Sequence, residues 1–211
     1  MGCGPAEEAL GAVTHGPSEP GTAGRPLLFL DVDGPLIPFG GTREQYPAGY
    51  PTYRPVGRLR LPATETNPLL PRIDPTLGPR LAALACELVW ATTWTGEANE
   101  CVSPWLGLPA LPVVNWPEPD ADDTPGPPGP PGVHWKTRPL VEWAAGRAFV
   151  WLDDEVSDAD RRWVAEHHPG RALLHRVDPR HALREADFGI VEEWLQLQPS
   201  RTVTAVIYKD S

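Results

Sequence analysis

Apolar residues along the chain gather into five short, nearly unbroken runs separated by stretches of a longer period. The runs are LLFLDVD (27–33), ELVWAT (87–92), ALPVVNW (110–116), AFVWLDD (148–154) and ALLHRV (172–177). None alternates cleanly between apolar and polar positions. Continuous runs of this length, rich in β-branched and aromatic residues, suit strands buried on both faces of a parallel sheet. PTLGPRLAALACE (75–87), KTRPLVEWAAG (136–146), SDADRRWVAEHH (157–168) and EADFGIVEEWLQLQ (185–198) read as helices. Asp158 and Asp160 open the third of these and His167 and His168 close it, which complements a helix dipole. Alternating strands and helices predict an α/β fold, a doubly wound five-stranded parallel sheet flanked by helices. In such sheets the working site lies beyond the carboxyl ends of the strands.

The punctuation between the runs sets the domain plan. The 28 prolines and 20 glycines concentrate in residues 1–26, in 34–79 and in PEPDADDTPGPPGPPG at 117–132. The plan is a disordered N-terminal arm (1–26), one α/β domain (27–198) and a tail (199–211) whose TVTAVIY resembles an edge strand. Within the domain, 37–75 is a flap or small cap, with room for a hairpin, and 117–132 is an extended proline-rich loop. Tyr46, Tyr50, Tyr53, Arg54, Arg58 and Arg60 fall in the flap, where the arginines either draw in an anionic substrate or form a solvated face.

Charge narrows the partners. A formal net charge of −10 argues against a protein that coats nucleic acid, yet leaves room for a divalent cation at an acidic site. No apolar run approaches a membrane span and no leader pattern opens the chain, so a cytoplasmic protein without membrane contact is expected. Cys3, Cys86 and Cys101 form no CxxC pair and are odd in number, which argues against a disulfide framework or structural zinc. Cys86, inside LAALACELVW, reads as a small core residue.

Polar residues cluster where the runs end: Asp31 and Asp33, Thr92 and Thr93, Asp153 and Asp154. Two carboxylates spaced i, i+2 on a strand becoming a loop can divide labour. Asp31 can act as a nucleophile forming an aspartyl phosphate, and Asp33 as the acid that protonates the leaving group and later activates water. Anions around a phosphate repel it, so the chemistry calls for magnesium with hard oxygen ligands, Asp154 among them. Lys136 can offset the charge of nucleophile and phosphoryl group, and the Thr92 hydroxyl can bind a phosphoryl oxygen. An EF-hand reading of DVDG fails because the twelfth position from Asp31 is Thr42, not Glu.

DVDGPL, VWATTW, HWKTRP and WLDDEVSD resemble, in order and spacing, the four motifs of the haloacid dehalogenase (HAD) superfamily. More narrowly, WATTW, WKT, WLDDE and VDPRHALREADF resemble the HAD domain of Swiss Army Knife RNA repair proteins. The resemblance implies a Rossmann-like core over 27–198 with a minimal cap. It makes Asp31 nucleophile and Asp33 acid/base, with magnesium held by Asp31, the Asp33 backbone carbonyl and Asp154. It assigns Thr92, with Thr93 as fallback, to the second motif and Lys136 to the third. Asp153 and Asp158 become supporting acids, and Gly34 and Trp94 substrate-side residues. Trp94 either stacks on a base or sugar or packs beneath a loop. Pro35 departs from the family pattern, where Thr or Val is common.

The expected activity is magnesium-dependent hydrolysis of a phosphomonoester, either a phosphorylated small molecule or a nucleic-acid end. A phosphotransferase using the same chemistry and a non-catalytic HAD-fold binding protein stand as alternatives. Nothing in the residues addresses oligomeric state.

Overall fold

The computed structural model describes residues 24–55, 67–116 and 131–197. Most of the predicted arm, Arg58 and Arg60, most of the proline-rich loop and the whole 199–211 tail lie outside them. Four parallel strands, β1 (Leu27–Leu30), β2 (Glu87–Trp90), β3 (Phe149–Asp153) and β4 (Ala172–Arg176), form a sheet in the order β2-β1-β3-β4. The helices are α1 (Leu77–Ala83), α2 (Ser103–Leu106), α3 (Thr137–Ala144), α4 (Asp158–His167) and α5 (Glu185–Gln196). Among the described residues no helix is long and apolar enough to cross a membrane.

Period-two alternation assigns the strand residues to two cores. Leu28, Leu30, Val150 and Leu152 pack with Leu81 of α1, Leu106 of α2 and Phe188 and Val191 of α5. Leu27, Phe29, Phe149 and Trp151 pack with Leu140 and Ala144 of α3 and Val164 of α4. Helices therefore cover both faces, which is why β1 and β3 tolerate unbroken apolar runs. Trp143 and Trp163 pad the second core and Trp194 the first, as their helical positions predict. Cys86 is buried in the first core, and burial pushes its thiol up to about 12, so it is an inert apolar filler.

The predicted strand at 110–116 does not form; four strands, not five, make the sheet among the described residues. Val113 makes a single parallel bridge to Trp90, with the Trp90 N–H donating to Pro112 O (2.8 Å) and the Val114 N–H to Trp90 O (2.9 Å). Pro109 and Pro112 carry no N–H to extend a ladder, so pairing stops after one step. Asn99 holds this strap in place, its amide donating to Leu111 O and its carbonyl accepting from the Leu111 N–H, both at 2.8 Å. Asn99 sits in a π-helical turn, Ala98–Val102, that leads into α2.

Residues 56–66 lie outside the described ones, and the hairpin for which the flap has room does not form in residues 38–55, which contain no strand. They form an irregular loop pinned to the loop after β4. The Tyr46 hydroxyl donates to Arg180 O (2.7 Å) and the Phe39 N–H to Pro179 O (2.8 Å). The tyrosines thus tether the flap, with Tyr46 and Tyr50 rings 4.2 Å apart.

Candidate functional site

The same alternation that builds the second core builds the site. Leu30 pairs with Leu152, and the Asp31 N–H donates to Leu152 O at 3.1 Å. One residue further along each strand, Asp31 and Asp153 face the α3 side together. Lys136 precedes the first residue of α3 and meets both. Its Nζ donates to Asp31 Oδ2 at 2.6 Å and to Asp153 Oδ2 at 2.9 Å, with all three side chains buried. Asp153 also accepts from the Trp151 indole N–H (3.2 Å) and the Glu155 N–H (2.9 Å). Three of its four lone pairs are thus taken by the protein, which leaves one on Oδ1.

Thr92 follows β2 and is buried beside Asp31, whereas Thr93 is exposed. The Trp94 N–H donates to Thr92 Oγ1 (3.3 Å). Trp94 neither stands free nor merely packs: its indole N–H donates to Asp33 Oδ2 at 2.9 Å. An indole only donates, so Oδ2 is fixed as an acceptor and Oδ1 is left as the oxygen able to carry a proton.

Carboxylate oxygens of Asp31, Asp153 and Asp154 lie within 4.8 Å of one another. Asp153, expected as a supporting acid, thus belongs to the acidic trio, while the Asp33 carboxylate stands outside it. Burial, reinforced by the neighbouring Asp153, pushes Asp31 up to about 7 against the opposing pull of Lys136. Burial and Asp153 likewise push Asp154 up to about 6. Burial also works against the charge on Lys136, but the two carboxylates outweigh it and hold the ammonium above its ordinary range. Three carboxylates share one ammonium, which leaves two negative charges when all are ionised. A divalent cation restores the balance, and an all-oxygen donor set suits magnesium, manganese or calcium. The residues fit such an ion.

Gly34 completes the trio's surroundings. Its φ of +83° lets the chain turn back after Asp33, and an ideal Cβ there would lie 2.7 Å from Asp154 Cγ. Gly34→Ala is expected to lower stability by about 1–3 kcal/mol through its left-handed backbone. It should also displace Asp154 and weaken divalent-cation binding, as thermal melts with and without manganese would show.

Asp158, expected as a supporting acid, stands apart from the trio. Its side chain is 88% exposed and pairs with Arg161, one turn on. The acid that matters is Asp160, two residues later and fully buried. Asp160 Oδ1 accepts from the His134 N–H (2.7 Å) and the Thr137 hydroxyl (2.6 Å), and Oδ2 from the N–H (2.8 Å) and hydroxyl (2.6 Å) of Ser157. It joins the start of α4 to the start of α3 and so sets where Lys136 stands. The legible signal was Ser157-x-x-Asp160, a capping box. Asp160→Ala is expected to cost about 3 kcal/mol, because it strands several buried donors, and Asp158→Ala less than about 0.5 kcal/mol. Urea unfolding of the two variants checks the contrast.

Protein-family models, curated proteins and solved structures gave no match to this chain. Its chemistry is read from its own residues. His134, which precedes Lys136, accepts at Nδ1 from the Lys136 N–H (3.3 Å) and meets Glu155 Oε2 through Nε2 (2.8 Å). That pattern places a proton on Nε2 and makes His134 a brace for the α3 entrance. Two further side chains at the site escaped sequence reasoning: Trp116, whose indole N–H donates to Thr92 O (2.9 Å), and Trp135, edge-on to it.

Proposed function

We propose that this chain is a magnesium-dependent phosphohydrolase with a HAD-like core and minimal cap, cleaving a phosphomonoester through an aspartyl phosphate on Asp31. One observation carries the reading: a buried strand-end aspartate held at 2.6 Å by a buried lysine, beside a buried threonine and a second strand-end acid pair. Magnesium, held by Asp31 and Asp154 with Asp153 adjoining, would supply charge neutralisation at the phosphoryl oxygens and keep Asp31 ionised.

Asp31 attacks phosphorus with a carboxylate oxygen as the bond to the leaving alcohol breaks, and Asp33 gives that alcohol its proton from Oδ1. Lys136 and the Thr92 hydroxyl steady the phosphoryl oxygens. Asp33, now ionised, takes a proton from water, whose oxygen attacks phosphorus, releases phosphate and restores Asp31. Trp94 keeps Asp33 aimed through both halves.

The test is a phosphate-release screen with magnesium over a broad panel of phosphomonoesters, including 5′- and 3′-phosphorylated oligonucleotides. Wild type is compared with Asp31→Asn and Asp33→Asn. No release above the variants sinks hydrolysis, and magnesium binding without turnover leaves a non-catalytic scaffold.

A pH dependence follows from the same carboxylates. The metal-free folded chain keeps protons on Asp31 to about pH 7 and on Asp154 to about pH 6, while ordinary aspartates release theirs near 3.8. Between those values the folded state binds more protons than the unfolded one, so these groups make stability fall as pH rises. A bound cation displaces those protons, so magnesium should stabilise more at pH 7.5 than at pH 5. Melting curves with magnesium or chelator, each referenced to Asp31→Asn, isolate this contribution.

A further inference from the structure

We propose that Trp116 and Trp135 form an aromatic ledge at the mouth of the site that stacks the base of a nucleoside monophosphate. The inference rests on the phosphohydrolase reading and names its substrate class. Trp135 is 51% exposed, in a molecule whose other tryptophans are buried or half-buried. A lone exposed indole would mean little, but this one is placed from two sides. Trp116 meets it edge-on, with ring centroids 4.8 Å apart and planes at 73°, and Trp116 is itself anchored to Thr92 O. On the other side, Lys136 Nζ lies 5.7 Å from the Trp135 ring centroid, and His134 is tilted against the ring at 5.5 Å.

The ledge therefore flanks the two groups, Thr92 and Lys136, that would hold a phosphoryl group. Trp135 reaches these groups through Lys136 Nζ, 5.7 Å from its ring centroid, and through Trp116, which is bonded to Thr92 O. A planar, uncharged ring system fits an indole face; an aliphatic alcohol gains little there. Charge selects the single nucleotide over a strand. Lys136 is committed to Asp31 and Asp153, Arg180 to Asp178, Arg161 to Asp158, and the chain carries a net −10. A polynucleotide needs a basic track along its backbone.

The test compares adenosine 5′-monophosphate, ribose 5-phosphate and a 5′-phosphorylated oligonucleotide on wild type, Trp135→Ala and Trp135→Phe. Wild type should prefer the mononucleotide to ribose 5-phosphate in kcat/KM. Trp135→Ala should cut that preference about 5- to 100-fold, the worth of one base–aromatic stack, and Trp135→Phe should restore most of it. An equal loss on both compounds means a structural role and overturns the ledge. A salt-sensitive preference for the oligonucleotide overturns the choice of a single nucleotide. If wild type releases no phosphate from either compound, the phosphohydrolase reading is decided separately, by the broad panel. The same ratio is then read from dissociation constants by calorimetry. A mononucleotide preference that Trp135→Ala abolishes there sustains the ledge, and equal affinities for the two compounds overturn it.

Discussion

Replacing Lys136 by methionine is expected to cost about 3–5 kcal/mol of stability at pH 8 and to abolish turnover. Methionine fills a similar volume, so the loss is electrostatic. Asp31 and Asp153, both buried, would keep their charges with no ammonium between them, and a buried charge stripped of its partner is among the costliest single changes. The sign with pH is definite. At pH 5, protons on Asp31 and Asp154 relieve part of the repulsion, so the loss should be smaller. The gap should widen as pH rises through about 6 and 7, where these carboxylates ionise. Urea unfolding at pH 5 and pH 8 measures it, and equal losses at the two values would rule out this account. Magnesium should recover part of the stability but none of the turnover.

Asp31→Asn should lower phosphate release by about 10⁴-fold or more, the scale seen when a covalent nucleophile is removed. The amide keeps the carboxylate's shape and can still accept from Lys136 Nζ, while Asp153 retains its own bond to the same nitrogen. The fold should therefore survive, with a melting temperature no lower than that of the chelator-treated wild type. Asp33→Asn should fall less, by about 10²- to 10⁴-fold, because proton transfer assists the reaction without forming the new bond. Leaving groups that need no proton, such as p-nitrophenolate, should narrow the Asp33 deficit but not that of Asp31. A deficit of the same size on both ester types would remove Asp33 from its assigned role.

The strand-end cluster was legible because the apolar runs stop abruptly at acids and hydroxyls, and a parallel sheet brings those ends to one edge. Asp31, Lys136, Thr92, Asp153 and Asp154 converge accordingly. What local pattern left undecided was which neighbour turns inward. Asp158 and Asp160 both suit a first helical turn, and only their rotation about α4 separates an exposed acid from a buried one. ALPVVNW is apolar enough for a strand, but its prolines limit it to one bridge. Trp116 and Trp135 lie on either side of a proline-rich segment, so nothing short of the folded chain brings their rings together.

The strand order also governs how the molecule assembles. β1 is made early yet lies inside the sheet, between β2 and β3, with all four of its residues fully buried. Its hydrogen-bonding edges stay open until two later strands arrive, the second of them after Lys136, whose bond to Asp31 spans 105 residues. Contacts this distant in sequence make folding slow and leave an apolar strand exposed to mispairing meanwhile. The repulsion among the acids acts only once β3 docks. In a nascent chain, the docking of β3 is therefore the step at which a free divalent cation would speed closure.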